Sequence, residues 1–230
     1  DIKTIEVHKM FCSLIEFSRS NNIKKIIYKR LPDFYTSLSA QEDLYSLFLF
    51  NAKLIRRDVT TTIDLSNKIS FSKMKNRNIN KAIKSGVTIE ATKSLSSYWE
   101  ILEEVLLKKY KISPVHSLKE IEKLKNQFPE NIKCFIASKD TKVLAGTLVF
   151  ETPNVVHTQY LANSEIGKKF KALDLIIYEL TSKIFKHKKF FNFGISTEDN
   201  GKIINKGLIS FKEGFGGGAQ THDFYEIEID

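Results

Sequence analysis

The chain has 230 residues, of which 42% are apolar and 27% charged, enough for one large domain or two small ones. These values are ordinary for a soluble globular protein, and no apolar run approaches the roughly 20 residues of a membrane-spanning helix. The net charge of +9 fits either a lysine-rich solvated surface or an anionic partner such as a cofactor phosphate, a sugar nucleotide or a tRNA.

Both cysteines of the chain, Cys12 and Cys134, lie in apolar stretches and match no metal-ligand spacing. We interpret them as buried free thiols in a reducing compartment. No signal peptide is visible, although the sequence begins at Asp1 rather than Met. These features predict a cytoplasmic protein without a bound metal.

The first part of the chain is predicted to fold as helix, strand, helix, strand. Ser39 and Glu42 have the spacing of a capping box at the start of the second helix. Apolar periodicity and β-branched runs place the four elements at 8–21, 23–29, 40–51 and 53–65.

A basic helix with a thin apolar stripe is predicted over residues 70–85, closed by Gly86. The thin stripe favours a solvated connector between two halves of the protein. Its basic side chains could instead face a substrate phosphate; they are Lys73, Lys75, Arg77, Lys81 and Lys84.

From residue 86 onward the predicted order is strand, two helices, three antiparallel strands, helix, strand, short helix and strand. Ser117 and Glu120 form a capping box before the second of these helices, and 163–171 is predicted to be a loop. The main ranges are 87–93, 94–110, 118–128, 132–138, 143–151, 155–162, 172–187, 190–195 and 222–229. This is one α/β module of ordinary domain size.

The order of elements in 172–229 repeats the order in 8–65, which predicts two copies of one fold. The predicted domains are the C-terminal half of a first module over 1–69, a connecting helix over 70–85 and a complete second module over 86–230. Only the second copy contains, at 190–218, an aromatic strand with a polar end, a helix with a Lys-Glu pair and a glycine run. A polar strand end in an open α/β sheet is a usual place for a site.

Lys212 is the strongest catalytic candidate, because an ammonium group can stabilise an oxyanion or bind a phosphate. The alternative is a lysine placed where the dipole at a helix C-terminus favours cations. Glu213 is a candidate base or a group that orients Lys212, and the alternative is a solvated ion pair.

His157 is a second candidate base, because its imidazole titrates near neutral pH. Strand alternation places Gln159 on the same face, where it could bind acceptor hydroxyls or amides, and places Thr158 and Tyr160 on the opposite face. The alternatives are a hydrogen-bonded histidine within the sheet and a core tyrosine.

Five further residues are predicted to bind substrate. The strand-end residues Ser196 and Glu198 could equally cap the next helix, and His116 could line an acceptor cleft or only help to cap a helix. The other two, Asn205 and Phe211, belong to the helix that carries Lys212.

The element order of 86–230 resembles the GNAT acyltransferase fold, and the doubled arrangement resembles the FemABX family of tandem GNAT-like modules. The local sequences that carry the resemblance are PVHS (114–117), HTQY (157–160), ALD (172–174), FGISTE (193–198), NKGL (205–208) and FKEGFG (211–216). The resemblance implies an α/β tandem GNAT fold with an incomplete first module.

The resemblance also implies acyl transfer to an amine, with Lys212 stabilising developing negative charge and Tyr160 protonating a leaving thiolate. The implied donor is an acyl-CoA such as acetyl-CoA, or a charged tRNA. The implied acceptor is a sugar nucleotide or a peptidoglycan precursor of the cell envelope.

One segment departs from the GNAT pattern. GNAT enzymes hold the CoA pyrophosphate with a glycine-rich loop before the long helix, where main-chain N–H groups bind the anion. The corresponding segment here has one glycine among lysines, and its candidate cofactor-binding residues are Gly167, Lys168, Lys169, Lys171 and Ala172.

The sequence therefore predicts an N-acyltransferase acting on a sugar nucleotide or a cell-envelope precursor. Two alternatives remain: an aminoacyl-tRNA-dependent transferase, which the charge of +9 favours, and a non-catalytic module that binds an anionic glycan or nucleic acid.

Overall fold

A computed structural model describes residues 3–229 as a mixed α/β protein. Its helices are α1 (Thr4–Ser20), α2 (Glu42–Leu49), α3 (Lys73–Lys84), α4 (Ser96–Tyr110), α5 (Leu118–Gln127), α6 (Glu165–Phe170), α7 (Ala172–Glu179) and α8 (Lys206–Glu213). Its strands are β1 (Lys25–Lys29), β2 (Lys53–Asp64), β3 (Thr88–Thr92), β4 (Ile132–Lys139), β5 (Lys142–Glu151), β6 (Val155–Asn163), β7 (Phe190–Ile195), β8 (Thr197–Glu198), β9 (Ile203–Ile204) and β10 (Gly218–Glu228).

The two predicted capping boxes have different outcomes. Ser117 caps α5 as predicted, and the Glu120 carboxylate accepts the Ser117 main-chain N–H at 2.7 Å. The box at Ser39 is wrong, because α2 begins only at Glu42. Arg30 donates to the carbonyl oxygen of Ala40 at 3.0 Å and so helps to hold the preceding segment outside the helix.

The prediction of a loop over 163–171 is also wrong. Ser164 accepts the Gly167 N–H at 3.0 Å and caps the short helix α6. A cap followed by a glycine and several lysines resembles a solvated loop in sequence, which is why the helix was missed. The predicted long helix 172–187 is α-helical through Glu179 and then continues as a π-helical turn, Leu180–Ile184.

The described residues form two compact units. Unit 1 contains the chain up to Thr60, Ile195–Ile209 and the chain from Ala219; unit 2 contains Thr61–Gly194 and Ser210–Gly218. The strand β2 and the helix α8 each pass from one unit into the other along the chain. The sequence-predicted module boundaries, which concern duplication rather than compactness, stay a prediction.

In unit 2 the strands β7, β6, β5, β4 and β3 lie side by side in that order. Neighbours are antiparallel except β6 and β7, which are parallel and are connected through α7. One core cluster joins α7 to the aromatic residues Phe191, Phe193 and Phe215. A second surrounds Tyr98 and Trp99 of α4.

A β-bulge in β6 changes which side chains share a face of this sheet. Leu148 is paired with Tyr160, whereas the next residue, Val149, is paired with Thr158, so Gln159 is an extra residue. His157 is paired with Phe150, two residues beyond Leu148. Directly paired residues share a face, so Tyr160 lies on the face of His157. The prediction that Tyr160 shares a face with Thr158 is therefore wrong.

The helix α3 is less solvated than its thin apolar stripe predicted, whereas its role as a connector between two modules stays a prediction. It packs against α7 within unit 2 and buries Lys75, Ile79 and Ala82. The Lys75 ammonium lies 2.5 Å from a carboxylate oxygen of Asp174 in the first turn of α7. Burial lowers the pKa of Lys75 from its ordinary value, and Asp174 offsets part of that effect.

In unit 1 the strands β1 and β10 are antiparallel, with Lys25 paired with Glu228. The helices α1 and α2 cover this pair through a core that includes Phe11, Leu47 and Ile227. Arg57 forms a bidentate pair with Asp223 at 2.7 and 2.8 Å. Unit 1 thus has an apolar core of its own.

The two thiols differ in environment. Cys134 is buried, and burial raises the pKa of its thiol to about 12. Cys12 is only half-buried, so the prediction of two buried thiols is wrong for this residue. Its sulfur lies 3.7 Å from Nε2 of His8.

Between residues 3 and 229 there is no cluster of three metal-ligating side chains and no helix long and apolar enough to cross a membrane.

The buried pair makes unit 2 sensitive to loss of one charge. Replacing Asp174 with Leu leaves the Lys75 charge buried without its carboxylate, and we expect a loss of about 3 kcal/mol or more in the free energy of unfolding. The double variant Lys75→Met/Asp174→Leu should recover most of that loss. Urea denaturation measures both.

The matched control is Glu179→Gln, which breaks an ion pair with the exposed Lys183 and should cost under about 1 kcal/mol. A single Asp174→Leu variant as stable as the wild type would contradict the importance of the pair.

Candidate active site

The helix α8 places Lys212 in the interior of unit 2, where its side chain is only 2% exposed. Its ammonium donates a hydrogen bond to the carbonyl oxygen of Gly194 at 2.8 Å. Burial lowers the pKa of Lys212 to about 7, because an apolar environment disfavours the charged form. A cation that can lose its proton near neutral pH is typical of functional sites.

Gly194 connects Lys212 to the strand β7. Its φ of +72° is in the region that glycine adopts without steric cost, and this conformation sets the direction of its peptide groups. Its carbonyl oxygen accepts from Lys212, and its N–H donates to Oδ1 of Asn192 at 2.9 Å.

His157 joins the same network from β6. Its Nδ1 lies 2.7 Å from Oδ1 of Asn192, and a Cβ built on Gly194 would lie 3.5 Å from its Cε1. Asn192 also donates from Nδ2 to the hydroxyl of Thr62 at 2.8 Å. The structure therefore brings together the two sequence-predicted candidates Lys212 and His157 through Asn192 and Gly194.

A second polar contact involves Tyr160 and His116. The Tyr160 hydroxyl lies 2.8 Å from Nδ1 of His116 and accepts the His116 main-chain N–H at 3.3 Å. Its ring packs edge-on against Trp99, with ring centroids 5.6 Å apart. Tyr160 thus has a polar end and an apolar base, and Gln159 next to it in the bulge is half-buried.

The neighbours of Lys212 on α8 have different environments. Phe211 is half-buried and packs against Phe215, and the Lys75 ammonium lies 3.7 Å from the Phe211 ring centroid. Glu213 is exposed. Phe211 therefore helps to fix α8 on the buried Lys75, whereas Glu213 faces solvent.

Three predicted substrate-binding residues belong to unit 1. Asn205 caps α8 by accepting the Leu208 N–H at 3.0 Å, and its amide donates to the exposed carboxylate of Glu198 at 2.7 Å. Ser196 is 1% exposed, and its hydroxyl has no hydrogen-bond partner among the described residues. Asn205 and Glu198 thus lie together, and the former has the helix-capping role that asparagine often has.

The candidate cofactor segment is held by its own helix. Gly167 is buried, and a Cβ at this position would lie 2.4 Å from the carbonyl oxygen of Leu144. Lys168 is exposed and forms an ion pair with Glu165 at 2.5 Å, and Lys169 is exposed. Lys171 has a φ of +61° between α6 and α7, and Ala172 after it is fully buried.

Three residues of the network, Asn192, Gly194 and Thr62, were not predicted to be functional. Asn192 is fully buried, and Thr62 is nearly so. An asparagine inside the aromatic run FFNFG was the available signal, because a buried carboxamide requires hydrogen-bond partners. Thr62 lies in a run of three threonines that any β-strand could contain, so nothing in the sequence distinguishes it.

A family model described as the FemAB family matches residues 108–221, a range that contains His157, Tyr160 and Lys212. No curated protein sequence matches the chain. Solved structures do match it, and all those named here are under 25% identical, so they show the fold alone.

The crystal structure of FemX is 12% identical with a TM-score of 0.75, covering 98% of this chain and 77% of FemX. The C-terminal domain of a candidate lysylphosphatidylglycerol synthetase from Agrobacterium fabrum is 10% identical with a TM-score of 0.68. The match covers 96% of this chain and 72% of that chain. A tandem GNAT protein from the clavulanic acid biosynthesis pathway is 10% identical with a TM-score of 0.50, covering 96% and 69%. These matches confirm the predicted family resemblance and the GNAT-like fold.

The lowered pKa of Lys212 makes stability depend on pH. Between pH 7 and 10.5 the unfolded chain binds the proton and the folded chain does not, so stability rises with pH. From pH 7 to 9 we expect wild type to gain about 2 kcal/mol relative to Lys212→Met. Urea denaturation at both pH values measures this difference.

Lys206→Met, which removes an exposed lysine from the same helix and keeps Lys212, is the control and should keep the pH dependence of the wild type. Parallel pH profiles for wild type and Lys212→Met would contradict the lowered pKa.

Proposed function

Since residues 108–221 match the FemAB family model and the chain has a GNAT-like fold, we propose that this protein is an N-acyltransferase of cell-envelope synthesis. It transfers an acyl or aminoacyl group from an ester or thioester to an amine. The observation that carries the proposal is the buried Lys212, joined through Gly194 and Asn192 to His157.

Acyl transfer to an amine requires removal of a proton and stabilisation of an oxyanion. In this proposal the amine attacks the carbonyl carbon, a C–N bond forms and the C–O or C–S bond of the donor breaks. His157 accepts the amine proton, and the ammonium of Lys212 stabilises the oxyanion. Because Lys212 is shielded from water, its charge acts at low effective dielectric.

The leaving group needs a proton, and Tyr160 is the candidate donor. Its hydroxyl contacts Nδ1 of His116, which can exchange a proton with it. The bulge at Gln159 supports this role, because it places Tyr160 on the sheet face of His157. Gln159 and Phe211 are left as candidate contacts of the acceptor.

The hydrogen bonds of the candidate cofactor segment favour a charged tRNA over an acyl-CoA as the donor. Within α6 the Gly167 N–H donates to Ser164 Oγ and the Lys168 N–H donates to the Ser164 carbonyl, at 3.0 and 2.9 Å. These N–H groups are consumed by the helix, whereas a CoA pyrophosphate requires open ones. The neighbour named as a lysylphosphatidylglycerol synthetase agrees with aminoacyl transfer. The tandem GNAT neighbour, whose title mentions AcCoA, keeps acetyl-CoA as the alternative.

We further propose that the acceptor is the amino group of a peptidoglycan precursor, or of a sugar nucleotide, in the cytoplasm. The family match supports this class of acceptor. The net charge of +9 agrees with a phosphate-bearing acceptor and with a polyanionic donor.

The donor assignment predicts a difference between two binding measurements. Charged tRNA should bind, and its affinity should fall steeply between roughly 50 and 200 mM salt. Binding releases counterions from the phosphates, and this release favours the complex less as the salt concentration rises. Acetyl-CoA should give no thermal shift under the same conditions. Stabilisation by acetyl-CoA without tRNA binding at low salt would reverse the assignment.

The role of Lys212 predicts the pH dependence of transfer. Its pKa of about 7 is lowered, so the ammonium that stabilises the oxyanion is lost as pH rises through that value. The kcat/KM of the wild type for transfer to a UDP-linked peptidoglycan precursor should therefore fall above about pH 7. Lys212→Met should be slower by about 100-fold to 1,000-fold at pH 6.5 and should lack that fall.

Lys206→Met is again the matched control and should behave as the wild type. An unchanged rate in Lys212→Met, or an alkaline fall that persists in it, would remove Lys212 from the reaction.

A further inference from the structure

We propose that Asn192 is a positioning residue that prepares His157 as the base and at the same time orients the peptide group that contacts Lys212. The inference deepens the proposed function and rests on it for the role of His157. It concerns one carboxamide whose hydrogen-bonded neighbours include His157, Gly194 and Thr62. Its Nδ2 also lies 3.5 Å from the carbonyl oxygen of Thr61.

The orientation of the Asn192 carboxamide is determined by its neighbours. A main-chain N–H can only donate, so the atom that receives the Gly194 N–H at 2.9 Å is the oxygen. The amide nitrogen then faces the Thr62 hydroxyl at 2.8 Å, which can accept. A flipped carboxamide would set two donors against each other at Gly194.

This orientation selects one tautomer of His157. Oδ1 of Asn192 can only accept hydrogen bonds, and Nδ1 of His157 lies 2.7 Å from it. Nδ1 must therefore carry the proton of the neutral ring, and Nε2 must carry the lone pair. A base needs that lone pair to accept the proton of an attacking amine.

The same carboxamide oxygen also fixes the neighbour of Lys212. The Gly194 residue that donates its N–H to Asn192 accepts from Lys212 through its carbonyl oxygen at 2.8 Å. Asn192 is fully buried, so its carboxamide has little freedom to reorient. One side chain thus positions both the base and the peptide group beside the cation.

The proposal is tested by determining the tautomer of His157, a measurement that needs no substrate. Long-range ¹H–¹⁵N spectra of protein labelled at its five histidines distinguish a protonated Nδ1 from a protonated Nε2, and His157→Gln assigns the ring. The proposal predicts the Nδ1–H form in wild type. Asn192→Leu removes the acceptor and should lose that preference, and Asn192→Asp keeps the acceptor and should retain it.

The matched control is Thr158→Val. The Thr158 hydroxyl donates to the main-chain carbonyl of Asn192 at 3.4 Å and does not contact the carboxamide, so the tautomer should not change. A protonated Nε2 in wild type, or an Nδ1–H ring that persists in Asn192→Leu, would overturn the proposal. If Asn192→Leu does not fold, the Asp variant decides, and a protonated Nε2 in it is equally contradictory.

Kinetics separate this proposal from the proposed function. If both hold, Asn192→Leu lowers kcat by about tenfold or more with little change in KM, and Asn192→Asp recovers most of the rate. If transfer is absent from every variant but the tautomer follows Asn192, the proposed function fails and the positioning role stands. If transfer proceeds and the tautomer does not change in the Asn192 variants, only the positioning role fails and the proposed function stands.

Discussion

The burial of Lys212 is the constraint on which the site depends. Lys212 is only 2% exposed, so its ammonium group loses most of its hydration, and this loss lowers the pKa of Lys212 to about 7. Its ammonium donates to the carbonyl oxygen of Gly194, whose φ of +72° is one that glycine adopts without steric cost. The packing of α8 and the end of β7 are thus both adapted to one side chain.

A second buried lysine shows how environment decides the role of such a group. Lys75 is as deeply buried as Lys212, but a carboxylate of Asp174 lies 2.5 Å away and the rings of Phe211 and Phe215 lie over it. That environment neutralises the charge and joins α3, α7 and α8 within unit 2. Lys75 therefore belongs to the support of the candidate site, and the chemistry of the proposed function is placed on Lys212.

The sequence was sufficient to predict most of the fold, because periodicity and turn residues are local signals. The three antiparallel strands, the amphipathic α4 and the capping box at Ser117 all follow from such signals. The bulge at Gln159 does not, because it depends on the register between β5 and β6. The candidate site was predictable only in part. Lys212 and His157 could be selected from the sequence because of the chemistry of their side chains. Their connection through Asn192 depends on the pairing of β6 with β7 and could not be predicted.

The central claim is that Lys212 is poised to lose its proton near neutral pH, and its own titration tests that claim most directly. NMR of protein labelled with ¹⁵N-lysine, with the Lys212 signal assigned by its absence in Lys212→Met, gives the pKa of this ammonium group. The account predicts a midpoint of about 7. A midpoint near the ordinary lysine value of about 10.4 would contradict it.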